Sequence, residues 1–121
     1  MLRVFSEQIV ADLNAFSGLI ALLDANGVSA LISEQEDGDS FVNYAIKYNG
    51  RITKDGAASY QVFIDSWSDT YSKSIAIADE VANALGASVN NYSYLDATSV
   101  PELSSDNKIS VVTKQIFNIN K

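Results

Sequence analysis

Carboxylates, lysines, serines and tyrosines are the side chains left to do chemistry in these 121 residues, because the chain contains neither cysteine nor histidine. Without cysteine there are no disulfides, thiolate metal sites or nucleophilic thiols. Without histidine there is no histidine-dependent triad and no histidine-ligated zinc. The least implausible enzyme is then a hydrolase with a glycosidase-like pair of acids. Asp65 is the most interesting single residue for such work, since it stands in an apolar stretch beside Phe63 and Trp67 where desolvation would favour its neutral form. An edge-facing or lysine-paired aspartate accounts for it as well, and no second acid stands at a telling spacing.

Other patterns that could hold a ligand are equally spare. The run Glu34-Gln-Glu-Asp-Gly-Asp-Ser40 concentrates carboxylates, but its spacing does not match a calcium loop, with its alternating Asp and Asn and a distant Glu. A solvated, projecting loop presenting Glu34, Glu36, Asp37 and Asp39 is the simpler reading. The glycines at 18, 27, 38, 50, 56 and 86 do not converge as a phosphate loop requires. The six tyrosines lack the basic interleaving of a nucleic-acid stacking surface and fit a sheet core or a protein interface better. The sequence therefore predicts no catalytic, cofactor-binding or metal-ligating residues, and no cofactor.

The elements that would position any site follow from periodicity. Phe41–Tyr48 and Tyr60–Trp67 alternate as paired strands. In the first, Val42, Tyr44, Ile46 and Tyr48 form the better core face. In the second, Tyr60, Val62 and Ile64 share one face while Phe63 and Trp67 share the other, so both faces want cover. Asn49-Gly50 and Lys54-Asp55-Gly56 mark a hairpin tip or arm that projects from the body. Tyr71, Ile75, Ala78, Ala82 and Leu85 then recur at helical spacing, with Ser68 or Asp69 as the cap, Gly86 at the C-terminal end, and Lys73, Asp79 and Glu80 on the wet side.

At the N-terminus, Leu2, Phe5, Ile9, Leu13, Phe16 and Ile20 follow helical intervals, with a break expected at Ser17-Gly18 and closure at Asp24–Gly27. A short apolar piece spans Val28–Ile32. Two further strands are expected at Tyr92–Val100 and Ile109–Ile119, with Pro101 where the chain leaves the first of them. The last strand places Ile109, Val111, Thr113, Gln115, Phe117 and Ile119 on one face and Val112 and Ile116 opposite. The fold class is α+β: one antiparallel sheet of about four strands with helices packed on one face.

Length allows one domain, 1–121, large enough to bury a core of its own. Eight basic against fifteen acidic residues give a formal charge of −7, which opposes binding to duplex phosphates or anionic membranes. The longest apolar run, Leu19–Leu23, is far short of a secretory core or a bilayer span, so a protein made and folded in cytoplasm, with no membrane partner, is expected.

Tyr60-Gln-Val-Phe-Ile-Asp-Ser-Trp-Ser68, the following Asp69-Thr-Tyr71, the helix Ile75–Leu85 and the closing run Ile109–Ile119 together resemble the tail completion or tail terminator proteins of long-tailed bacteriophages. The resemblance covers most of the chain from Leu2 onward and rests on a pattern of residue types. Between Gly27 and Phe41 the chain departs from it, with the acidic run where a proline-containing strand entry is expected.

The resemblance implies a non-enzymatic virion protein that forms a ring, commonly hexameric, at the head–tail junction. Such a ring caps the tail tube and joins it to the head connector, with DNA met only in passage through its channel. It also implies a homo-oligomer with tail tube and head connector proteins as partners, assembled in the bacterial host cytoplasm and located in the virion neck. Phe63, Trp67, Val112 and Ile116 are the expected contacts between copies, and Glu34, Glu36, Asp37, Asp39, Lys54 and Asp55 the projecting loops. The rival reading is a small ligand-binding or regulatory α+β domain that dimerises through its sheet.

Overall fold

The computed structural model describes residues 2–23, 28–30, 40–51, 58–88, 91–103 and 109–120. Helices α1 (Leu2–Asn14) and α2 (Ser17–Ile20) precede strands β1 (Val28–Ala30), β2 (Phe41–Arg51) and β3 (Ala58–Ser68). Helix α3 (Tyr71–Ala87) then leads to β4 (Asn91–Leu103) and β5 (Ile109–Asn120). The strands form one sheet in the order β1-β2-β3-β5-β4. Four of them are antiparallel neighbours, as expected, and the short apolar piece at Val28 adds a fifth that runs parallel to β2.

Alternation decides which side of the sheet the helices cover. Val42, Tyr44, Val62, Ile64 and Phe117 point to one face and are buried there against Ile9, Leu13, Leu19, Ile77, Val81 and Leu85 from the three helices. Each fully buried aliphatic side chain on this face contributes about 1.5 to 3 kcal/mol. The expected core faces of β2, β3 and β5 are those observed, except that Tyr48 at the end of its row is half exposed and Ile46, Tyr60 and Val111 are only partly buried.

Helix phasing differs from expectation in two places. The N-terminal helix breaks at Ala15 and Phe16, the latter extended at φ −98° and ψ 101°, rather than at Ser17-Gly18. That break resets the phase, so Leu19 is buried and Ile20 is exposed. In α3 the buried stripe is Ser74, Ile77, Ala78, Val81, Ala84 and Leu85, whereas Tyr71 is exposed. The stripe turns toward Ser74 because its hydroxyl finds partners inside: it donates to the Ser66 carbonyl at 2.9 Å and lies 2.8 Å from Thr113 Oγ1.

The ends of α3 also shift. Thr70, not Ser68 or Asp69, is the cap, its hydroxyl accepting from the Lys73 amide at 3.2 Å. Ser68 is still in β3, and its hydroxyl donates to Asp69 Oδ1 at 3.2 Å. Gly86 lies within the last helical turn, and the helix closes at Ser88, whose amide donates to the Leu85 carbonyl at 3.3 Å. Pro101 does not end its strand. It sits inside β4, an edge strand, where a missing N–H is tolerated.

Candidate interaction surface

The other face of the sheet carries no helix among the described residues, and the strand register lays its side chains out in rows. Phe41, Trp67, Val112 and Val100 form the first, reading across β2, β3, β5 and β4. Asn43, Asp65, Lys114 and Thr98 form the second, Ala45, Phe63, Ile116 and Asp96 the third, and Lys47, Gln61, Asn118 and Ser93 the fourth. Apolar rows thus alternate with polar ones.

The first row is tightly organised. The rings of Phe41 and Trp67 stack at 5.8 Å with 13° between their planes. Val112, next to Trp67, is 0% exposed, so it backs this surface from within the chain rather than forming part of its exterior. Phe63, Trp67 and Ile116 are each half-buried. Three of the four expected contact residues therefore still offer apolar area, and all four lie on one face. Trp67 Nε1 and Asn43 Oδ1 are covered and have no hydrogen-bond partner among the described residues, a costly condition for buried polar atoms at about 1 to 3 kcal/mol each.

Asp65 lies in the middle of this face, opposite Asn43 on one side and Lys114 on the other. An acid directly across from a lysine is a stabilising cross-strand arrangement. A cavity of about 170 Å³ between α3 and β4 is lined by Ile75, Asp79, Tyr94, Ser99 and Gln115 among others. Another of about 160 Å³ lies between α1 and α3 beside Asp12, Phe16 and Ser88. Among the described residues that line them, the first holds the carboxylate of Asp79 and the second that of Asp12. Among the described residues no cluster of metal-ligating side chains occurs, and no helix is long and apolar enough to cross a membrane. Glu34, Glu36, Asp37, Asp39, Lys54 and Asp55 lie outside the described residues.

Two polar networks under the helices were not legible in the sequence. Tyr92 accepts from Gln8 Nε2 at 2.9 Å and donates to Asp12 Oδ2 at 2.6 Å. Burial first, and then the bond to Asp12, push the Tyr92 phenol well above its ordinary range. Ser99 and Ser74 lie 2.9 and 2.8 Å from Thr113 Oγ1. Since Ser74 gives its proton to the Ser66 carbonyl, the relay runs from Thr113 to Ser74 to the strand backbone. Both networks join residues far apart in the chain, which no local spacing reveals.

No protein-family model matches the chain, and no curated protein matches it. Among solved structures, a chain of one described as "Virion of native gene transfer agent (GTA) particle" is similar, with a TM-score of 0.63 and 17% identity. The match covers 92% of this chain and 90% of that one, so the two share a fold over nearly their whole length.

Proposed function

We propose that this chain is a non-enzymatic structural protein of a phage-like virion, which assembles with copies of itself into a ring at the head–tail junction. The observation that carries the reading is the end-to-end fold likeness to a chain from a gene transfer agent virion. The sequence resemblance to tail terminators points the same way. In the ring, Phe63, Trp67 and Ile116 of the open face meet a neighbouring copy, with Val112 behind them, and tail tube and head connector proteins bind the two ends.

Physical chemistry supports such a use of the face. Half-buried aromatic side chains such as Phe63 and Trp67 are enriched among the anchors of protein interfaces. The formal charge of −7 suits a channel wall that repels DNA and lets it slide.

Light scattering across protein and salt concentrations, followed by negative-stain imaging of any large species, tests the proposal. Rings with an open centre are the expected result. A strict dimer at every concentration that is also stabilised thermally by a small metabolite would overturn it in favour of a ligand-binding domain.

A further inference from the structure

The outer side of β4 is the long free edge of the sheet, since among the described residues nothing pairs with it. Such an edge offers unpaired N–H and C=O groups to any other strand, including β4 of a second copy. In this chain the offer is withdrawn at two places. The Ala97 amide is taken by its own neighbour, donating to Asp96 Oδ1 at 2.8 Å. It therefore points away from β5.

Backbone groups of an antiparallel strand alternate between the two sides, so Ser99 and residue 101 share the outward direction of Ala97. Residue 101 is proline, which has no N–H to give. A register irregularity between Tyr94 and Asp96 brings in Leu95 as an extra residue just before this stretch. The irregularity sets the phase in which Ala97, Ser99 and Pro101 face outward.

The consequence is specific. When two copies of β4 pair antiparallel about Ser99, Ala97 of each faces Pro101 of the other. Each of these pairs needs one donor from Ala97 and one from residue 101. The first is occupied by Asp96 and the second is missing, so both symmetric pairs fail together.

We propose that Asp96 and Pro101 act as a lock on the β4 edge, which bars a second copy of this chain from extending the sheet there. The inference stands on the strand geometry alone and does not depend on the virion reading. Contacts between copies are thereby directed away from sheet extension at β4.

The test compares the wild-type protein with the double variant Asp96→Ala/Pro101→Val, using light scattering and amide hydrogen exchange read by NMR. The double variant should gain mass over wild type at equal concentration, up to a doubling, with the amides of Ala97 and Ser99 newly protected. Asp96→Ala alone, a change at an exposed side chain, should speed exchange at Ala97 by roughly tenfold, the equivalent of one net hydrogen bond. Asp96→Asn, which keeps an acceptor oxygen, should leave it near the wild-type rate. The lock is refuted if the double variant, folded by circular dichroism, keeps the wild-type mass at every concentration. It is refuted equally if it gains mass with Ala97 and Ser99 unprotected. Should the double variant not fold, an unchanged Ala97 rate in Asp96→Ala refutes it and the tenfold rise upholds it.

Discussion

Tyr92 Oη donates to Asp12 Oδ2 at 2.6 Å, tying the edge strand β4 to α1 across 80 residues of chain. Gln8, one helical turn before Asp12, donates to the same phenol at 2.9 Å, so two residues of one helix face hold one ring. The clamp fastens the first element of the fold to an otherwise weakly covered strand.

Replacing Tyr92 by Phe removes both bonds, taking one acceptor from Gln8 and one donor from Asp12, at a cost of roughly 1 to 3 kcal/mol in unfolding free energy. The pH dependence has a definite sign. The folded phenol, held protonated by burial and by Asp12, ionises at higher pH than the unfolded one, whose ordinary value is about 10. Below about pH 10 the contribution is fully present, and above it the unfolded chain releases its proton first, so stability falls as pH rises. Urea titrations of wild type and Tyr92→Phe between pH 7 and 11 should show the gap narrowing at the alkaline end.

The hydroxyl relay under α3 is expected to matter to a similar degree. Thr113 is 4% exposed, and its hydroxyl lies within 2.9 Å of both Ser99 and Ser74. Thr113→Val keeps the shape but leaves both serines without this partner, costing about 1 to 3 kcal/mol. Thr113→Ser keeps the hydroxyl and should recover most of the bonding. A Val variant as stable as wild type in denaturant would show that the relay contributes nothing.

Gly86 offers the opposite prospect. A β-carbon built there meets nothing within 4 Å, and the residue lies in the last turn of α3 rather than at a left-handed terminus. Gly86→Ala should therefore stabilise the protein by about 0.5 to 1 kcal/mol through helix propensity and reduced unfolded-state freedom. Thermal melts suffice to measure it, and a lower midpoint would reveal a backbone requirement at this position.

The fold was legible where one periodicity dominates. Phe41–Tyr48, Tyr60–Trp67 and the closing strand alternate over several residues, and the pleat turns that alternation directly into two faces. Helix α3 was legible as an element but not in phase, because hydrophobicity alone favours Tyr71 over Ser74, and the partners that make Ser74 welcome inside lie on β3 and β5. The surface had a similar mixed legibility. Phe63, Trp67 and Ile116 follow from alternation within single strands, but Phe41 joins Trp67 only through the β2–β3 register. The same register covers Val112, and the Asp96 bond to its neighbouring amide depends on an irregularity no residue pattern announces.

The open face separates two effects that substitutions can read apart. Phe63 and Trp67 are half-buried on a side of the sheet that none of the described helices covers, whereas Val112, paired with Trp67 on that side, is 0% exposed. Val112→Ala should cost the isolated chain roughly 2 kcal/mol as a core truncation. Phe63→Asp and Trp67→Asp should leave the helical circular dichroism unchanged while lowering the mass of any assembly measured by light scattering at matched concentrations. Between these two, Trp67→Asp also gives up the stack on Phe41, so its monomer should melt somewhat lower than that of Phe63→Asp. If both aspartate variants unfold, the face is part of the monomer's core. If both fold and assemble like wild type, copies meet through another surface.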